Sequence, residues 1–157
     1  MQNDYIILVG IMVIPIQLIE HKVIIMMKNI YEMLQDVCSR NKDSIFLVRQ
    51  NETYADLLKR VKQRAVLLAK RFGIKKGDTV AILSGNTPDF LRSYFAIASQ
   101  GARALMLDTG LNTTEHINMM KRTDCKLVLA QKHYFIEDAP SEMFDIENID
   151  DTDENEF

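Results

Sequence analysis

A chain of 157 residues with 47% apolar and 26% charged side chains has the size and make-up of one soluble globular domain. Its formal net charge of −3 conceals an asymmetry, because residues 137–157 carry ten carboxylates and no Lys or Arg, leaving 19 basic against 12 acidic groups elsewhere. That basic excess is scattered without aromatic interleaving, which argues against nucleic-acid binding. The two cysteines, Cys38 and Cys125, form no CxxC pair and share no metal-ligand spacing with the three histidines, so a reduced, cytoplasmic protein is expected.

Residues 1–26 form an apolar extension. Residues 5–19 are interrupted only by Gly10, Pro15 and Gln17, but Glu20-His21-Lys22 falls inside the stretch of about 20 apolar residues that a spanning helix needs. The opening Met-Gln-Asn-Asp lacks the basic region of a signal peptide. The expectation is a mis-assigned start, with translation beginning at Met26 or Met27 and residues 1–26 contributing nothing to the fold. A membrane anchor through residues 5–27 and an extra element packed on the body are the minor alternatives.

The orderly elements begin next. Ile30, Met33, Leu34 and Val37 recur at helical spacing and predict an amphipathic helix over 29–39. Residues 44–49 read as a strand, with a brief hairpin partner at Thr53-Tyr54. A long helix follows over about 55–72. Leu57, Leu58, Val61, Ala65, Leu68 and Phe72 are on its inner face, while Lys59, Arg60, Lys62, Gln63, Lys70 and Arg71 face solvent, and Gly73 ends it.

The chain is organised around residues 79–107. A β-prone run over 79–84 is broken by Ser84-Gly85-Asn86-Thr87-Pro88, in which Thr87 as N-cap and Pro88 at the first helical position open a helix. Phe90, Leu91, Tyr94, Phe95, Ile97 and Ala98 give that helix a wide apolar stripe. Gly101 closes it, and residues 102–107 form a second strand. Strand, crossover helix and strand in so short a span make a βαβ unit, hence a parallel sheet with a right-handed crossover. Asn112 with Glu115 then approximates a capping box for a helix to about Thr123, with Ile117 and Met120 inward, and residues 126–130 are another strand. The fold class is α/β: a Rossmann-like parallel sheet built of βαβ units with flanking helices.

Residues 137–157 are expected to be a solvated acidic linker or tail. Like charges at this density repel, and few apolar residues are present to offset the cost of ordering. Asp151-Thr-Asp153-Glu-Asn155 is not a calcium loop, since Glu156 stands where the sharp turn needs glycine.

Candidate chemistry is sparse. Ser84-Gly85-Asn86-Thr87 lies between a strand and a helix N-terminus, where free N–H groups can hold phosphate. Yet Pro88 removes a donor, one glycine is present, and no lysine follows. Asp56, Asp78, Asp89, Asp108 and Glu115 read as cap, turn or surface carboxylates without an evident partner. No catalytic, cofactor-binding or metal-binding residue is assigned.

Five short stretches carry a resemblance. Thr53-Tyr54-Ala55-Asp56-Leu57 resembles the TYxEL segment near the start of the adenylate-forming (AMP-binding) superfamily, which comprises acyl-CoA and aryl-CoA synthetases, luciferases and peptide-synthetase adenylation domains. Phe72-Gly73-Ile-Lys-Lys-Gly77-Asp78-Thr-Val-Ala-Ile82 is similar to LGxxxGDxVAI. Asn86-Thr-Pro-Asp-Phe90 resembles NxxEF, and Ala98-Ser-Gln-Gly101-Ala102 with Leu105–Leu107 resembles LKAGAxxVPL. Thr114-Glu115-His-Ile117 and Lys126-Leu-Val-Leu129 fit ELxxxLxxSxxKxLI. Each motif is weak alone, and their order and spacing over 30–131 make the signal. Met106 and Thr109 stand where the family has prolines.

By this resemblance, residues 27–136 are the N-terminal α/β subdomain of an acyl-activating ligase, and within the acidic linker or tail over 137–157 the stretch 150–157 resembles the linker just before the family's phosphate loop. The implied reaction joins a carboxylate to ATP and passes the acyl group to coenzyme A, with fatty acyl-CoA synthetases the favoured subclass. ATP, Mg²⁺ and coenzyme A are implied for the whole family member, and none is expected to bind this chain alone. The family's phosphate loop, Mg²⁺ carboxylate, ribose aspartate and C-terminal lysine all lie beyond this region, so the implied partner is a downstream catalytic half, in cis or as a separate chain. The other class left open is a non-enzymatic Rossmann-like module that recruits a partner or is tethered to a membrane. A following reading frame encoding a TSGTTGxPKG-like loop would separate the two.

Overall fold

The structure, a computed structural model, describes residues 29–149. The extension over 1–26 with its alternative starts, and the stretch from Asp150 on with its rejected calcium loop, lie outside the described residues. Helix α1 (Ile30–Arg40) opens under the Asn29 side chain, which accepts from the Glu32 N–H, and buries Leu34 and Cys38. Strand β1 (Ile45–Leu47) pairs antiparallel with β2 (Glu52–Thr53). The expected longer strand stops at Leu47 because Val48–Gln50 coil into a 3₁₀ turn that Asn51 ends in a left-handed conformation, φ 49°. An asparagine tolerates that region better than most residues.

Helix α2 (Tyr54–Lys70) begins one residue before its expected start. Thr53 is the N-cap of a reciprocal capping box: its hydroxyl accepts from the Asp56 N–H at 3.1 Å, and the Asp56 carboxylate accepts from the Thr53 N–H at 2.9 Å. Gln63, expected on the solvent face, is buried, as is Arg64 beside it. The reason is packing on two sides, since α2 is covered by α1 and by α3 (Pro88–Ser99) together, which widens the buried stripe beyond its apolar positions.

The main sheet holds β3 (Thr79–Leu83), β4 (Arg103–Met106), β5 (Cys125–Ala130) and β6 (Glu142–Asp145) in the order β4-β3-β5-β6, all parallel. Helix α3 links β3 to β4, and α4 (Thr113–Arg122) links β4 to β5 on the far side of β3. Thr87 caps α3 with Pro88 in its first turn, and Asn112 with Glu115 completes a capping box on α4, as the local sequence predicts. Gly101 adopts φ +66° after α3, and a Cβ there would lie 3.1 Å from the Lys76 side chain, so both backbone and space favour glycine. Strand β3 is buried throughout, as befits a parallel strand covered on both faces. Val80 and Ile82 pack with Leu57, Val61, Leu68, Ile97, Leu127 and Leu129 in one core layer. Ala81 and Leu83 pack with Leu107, Met120, Val128 and Ala130 in the other.

The fourth strand corrects the expectation of a linker from residue 137. Leu127 to Ala130 pair with Glu142 to Asp145. Phe144 packs on the first core layer, Met143 on the second, and Ile146 and Ile149 are 0% and 1% exposed. Meanwhile Glu137, Asp138, Glu142 and Glu147 stay in water. Four well-placed apolar side chains and a free edge of β5 outweigh the charge density, because the carboxylates need not be buried to form the strand. Among the described residues no helix is long and apolar enough to cross a membrane.

Cys38 illustrates how tightly the first layer closes. Burial pushes its thiol from the ordinary 9.0 up to about 11. At pH 8 the native thiol is therefore expected to hold about a hundredfold less thiolate than in the unfolded chain, and to be alkylated correspondingly slowly. Because the folded value is the higher one, this contribution to stability is complete below pH 9.0 and is lost as pH rises towards about 11. Peptide mapping after timed iodoacetamide treatment, native against urea-unfolded, checks the first point. Equal rates would mean the layer opens freely at Cys38.

Candidate functional site at the carboxyl edge of the sheet

In open α/β sheets the ligand crevice lies off the carboxyl ends of the strands, where strand order reverses. Here that edge is made by the turn after β3 (residues 84–88), the loop after β4 (107–112), the segment after β5 (131–134) and the 3₁₀ turn after β6 (Ile146–Asn148). Gln131 ties three of these together. Its amide oxygen accepts from the Gly85 N–H at 3.0 Å and lies 3.2 Å from the Ser84 hydroxyl. Its amide nitrogen donates to the Glu147 carboxylate at 2.8 Å. The Gly85 N–H that a phosphate would take is thus already held, Thr87 satisfies the Phe90 N–H at 3.2 Å, and Pro88 has no N–H to offer. Lys132, the nearest cation along the chain, lies 3.4 Å from Asp145.

Hydrogen bonds within the neighbouring loop hold it as well. The His116 ring donates from Nε2 to the Asp108 carbonyl at 2.8 Å, and the Asp108 carboxylate accepts from the Gly110 N–H at 2.9 Å. Glu115 accepts from the Asn112 N–H at 3.0 Å. These residues do not fit a nucleotide triphosphate or a Mg²⁺ ion. Among the described residues no group of three or more His, Cys, Asp or Glu side chains could hold a metal.

The carboxylates singled out in the sequence separate clearly. Asp56 works as a cap, and hydrogen bonds from the Thr53 hydroxyl and N–H hold its carboxyl below the usual carboxylate range. Asp78 is likewise lowered, first by the Lys126 ammonium at 2.9 Å and then by the Lys75 N–H. Asp108 and Glu115 are loop and cap groups. Asp89 is the exception.

Asp89 belongs to a buried ion network. Arg64 donates to the Asp89 carboxylate, to the Asp89 carbonyl at 2.9 Å and to the Ser93 hydroxyl at 2.7 Å. Arg92 donates to Asp89 at 2.8 Å and forms a second ion pair with Glu52 on β2. Burial lowers the Arg92 pKa, but hydrogen bonds and charges from Glu52 and Asp89 outweigh it and leave it raised. The network fastens the first turns of α3 to α2 and β2, and so fixes the turn after β3 from below. Arg60 adds a looser contact to Glu52 at 3.7 Å, so each of the two carboxylates meets more than one guanidinium. One signal pointed to the network: Arg64 falls on the buried stripe of α2, three residues after Val61 and four before Leu68.

The decisive comparison is with families of known proteins. The family model described as AMP-binding enzyme matches residues 34–156. The chain belongs to that family.

Among its AMP-binding relatives, the 2-succinylbenzoate–CoA ligase of Bacillus velezensis is 32% identical over 101 residues, covering 63% of this chain and 21% of that protein. The 4-coumarate–CoA ligase of Vanilla planifolia is 32% identical over 82 residues, 52% of this chain and 15% of that protein. In structure, the O-succinylbenzoate coenzyme A synthetase (MenE) of Bacillus subtilis in complex with AMP superposes with a TM-score of 0.71 at 22% identity. That match covers 80% of this chain and 33% of that one. The N-terminal subdomain of Klebsiella oxytoca NpsA gives a TM-score of 0.68 at 16% identity, over 78% of this chain and 34% of that one. The fold is therefore that of the N-terminal subdomain of adenylate-forming enzymes, and the chain spans about a fifth of the Bacillus velezensis ligase.

Proposed function

We propose that this chain supplies the N-terminal scaffold of an ATP-dependent acyl-activating ligase. In that reaction a carboxylate oxygen attacks the α-phosphorus of ATP and pyrophosphate leaves; the coenzyme A thiol then attacks the acyl carbon and AMP leaves. The observation that carries the reading is the family match over 34–156 on a parallel sheet of the same fold. Fatty acids are the favoured substrate class. The human long-chain fatty acid transport protein 6, 35% identical over 69 residues, supports that choice, although it shares only 44% of this chain and 11% of its own length.

In this reading the described residues do no chemistry. They hold a rigid parallel sheet whose carboxyl edge is stitched shut by Gln131, and a downstream half provides the phosphate loop, the Mg²⁺ ligands and the coenzyme A site. Donors aimed at the transferring phosphates, with Mg²⁺, supply most of the stabilisation in such chemistry. ATP–pyrophosphate exchange with a panel of fatty and aryl acids is expected to be at background for this chain alone and to appear when the downstream half is added. Exchange by this chain alone would sink the reading. Silence in both samples would instead favour a binding module without ligase activity.

A further inference from the structure

The β1–β2 hairpin and the outer face of α2 form a surface that the ligase reading leaves without a task. Val48 is 85% exposed and Ile45 46% exposed, both on the hairpin, and Arg49 beside Val48 is exposed too. The loop before the hairpin is fixed to the start of α2 by hydrogen bonds from the Ala55 N–H to the Lys42 carbonyl and from the Tyr54 N–H to the Ser44 carbonyl, both 3.1 Å. Next to it runs a shallow groove of about 470 Å³, floored by Ala55 and Leu58 and rimmed by Lys42, Lys59 and Lys62. Two of the acidic side chains on this face are already engaged: Asp36 pairs with Arg40 and Asp56 caps α2. Asp43 is the exposed acid beside Lys42.

We propose that this surface docks the protein onto an anionic lipid bilayer, with Val48 and Ile45 entering the headgroup boundary and Lys42, Arg49 and Lys62 facing the anionic headgroups. The geometry favours a bilayer over an acidic protein. A stable protein interface needs roughly 800 Å² on each partner with a desolvated apolar centre. Here Val48 and Ile45 stand exposed on the hairpin, and Lys42, whose carbonyl is bonded to Ala55, joins the hairpin's base to the lysine-rimmed groove, an arrangement suited to shallow insertion in a fluid interface with charge attraction. The attraction acts on the folded domain and needs no spanning helix. It stands independently of the ligase reading.

The test exploits a feature of the composition: the chain has no Trp, so Val48→Trp places a single reporter at the proposed contact. With vesicles holding roughly 30 mol% phosphatidylserine, its emission should shift to the blue. The shift should be absent with pure phosphatidylcholine and should weaken as salt rises from about 0.1 to 1 M. Adding Lys42→Glu and Lys62→Glu should lower vesicle affinity tenfold or more while leaving the melting temperature unchanged. Three outcomes would overturn the proposal. Vesicles could bind while the indole emission of the Val48→Trp variant stays unshifted, or binding could persist in the Lys42→Glu, Lys62→Glu variant; either would place the contact elsewhere, residues 5–27 included. The chain could also ignore vesicles but bind polyglutamate through these lysines, which would make the surface a protein interface.

Discussion

Replacing Arg64 with alanine is expected to destabilise the chain by about 3–5 kcal/mol, the range for breaking a buried ion pair from one side. The Arg64 side chain is 1% exposed and donates to the Asp89 carboxylate, the Asp89 carbonyl and the Ser93 hydroxyl. Removal would leave Ser93 unpaired, open a cavity between α2 and α3, and leave Asp89 with Arg92, which also pairs with Glu52. Asp89 retains 20% side-chain exposure, so water can reach it and the lower end of the range is the better expectation. Even so, the loss is a large share of the roughly 5–15 kcal/mol by which domains are stable. Arg64→Lys should be intermediate, since an ammonium keeps the charge but cannot reproduce the planar fork. Urea unfolding of the three proteins checks the order. A cost for Arg64→Ala below about 1 kcal/mol would place the pair with exposed salt bridges and refute the network's role.

This network shows where sequence reasoning reaches and where it stops. Thr87 with Pro88, Asn112 with Glu115, and Gly101 are legible because each answers to residues within one turn of helix, where the chemistry is local. The alternation in β3 is legible for the same reason, as neighbouring side chains alone assign Val80 and Ile82 to one layer and Ala81 and Leu83 to the other. The contacts that shape the carboxyl edge are not local. Gln131 reaches back to Gly85, and Arg64 reaches forward to Asp89, which looks like an ordinary first-turn helix carboxylate until α2 is laid against it. Gln63 is misjudged for the same cause, because a helical wheel marks the apolar stripe but cannot show a second helix covering its flank. The hairpin is overextended in the sequence because Val48 has strand propensity, and only the left-handed Asn51 reveals that the backbone has already turned.

The acidic stretch is the sharpest of these cases, and its test has the other large expected effect. Ile146→Ala and Ile149→Ala should each cost about 2–5 kcal/mol, the usual price of emptying a buried aliphatic site. Both residues are almost fully enclosed and pack in the same layer as Leu57, Val61 and Ile82. They also end the segment that gives β5 its outer partner, so a chain that loses them loses the anchor of β6 and exposes the edge of β5. The two effects should not add, because the sites lie three residues apart in one layer. Glu142→Gln, at an exposed position of β6, should stay within about 0.5 kcal/mol. Glu147→Gln should cost more than that, since its carboxylate holds Gln131. Denaturant unfolding of the four single variants gives a ranking that a solvated tail cannot produce, because a tail would leave all four at the wild-type midpoint. If the isoleucine variants behave like Glu142→Gln, residues 137–149 are a linker after all and the sheet of this domain ends at β5.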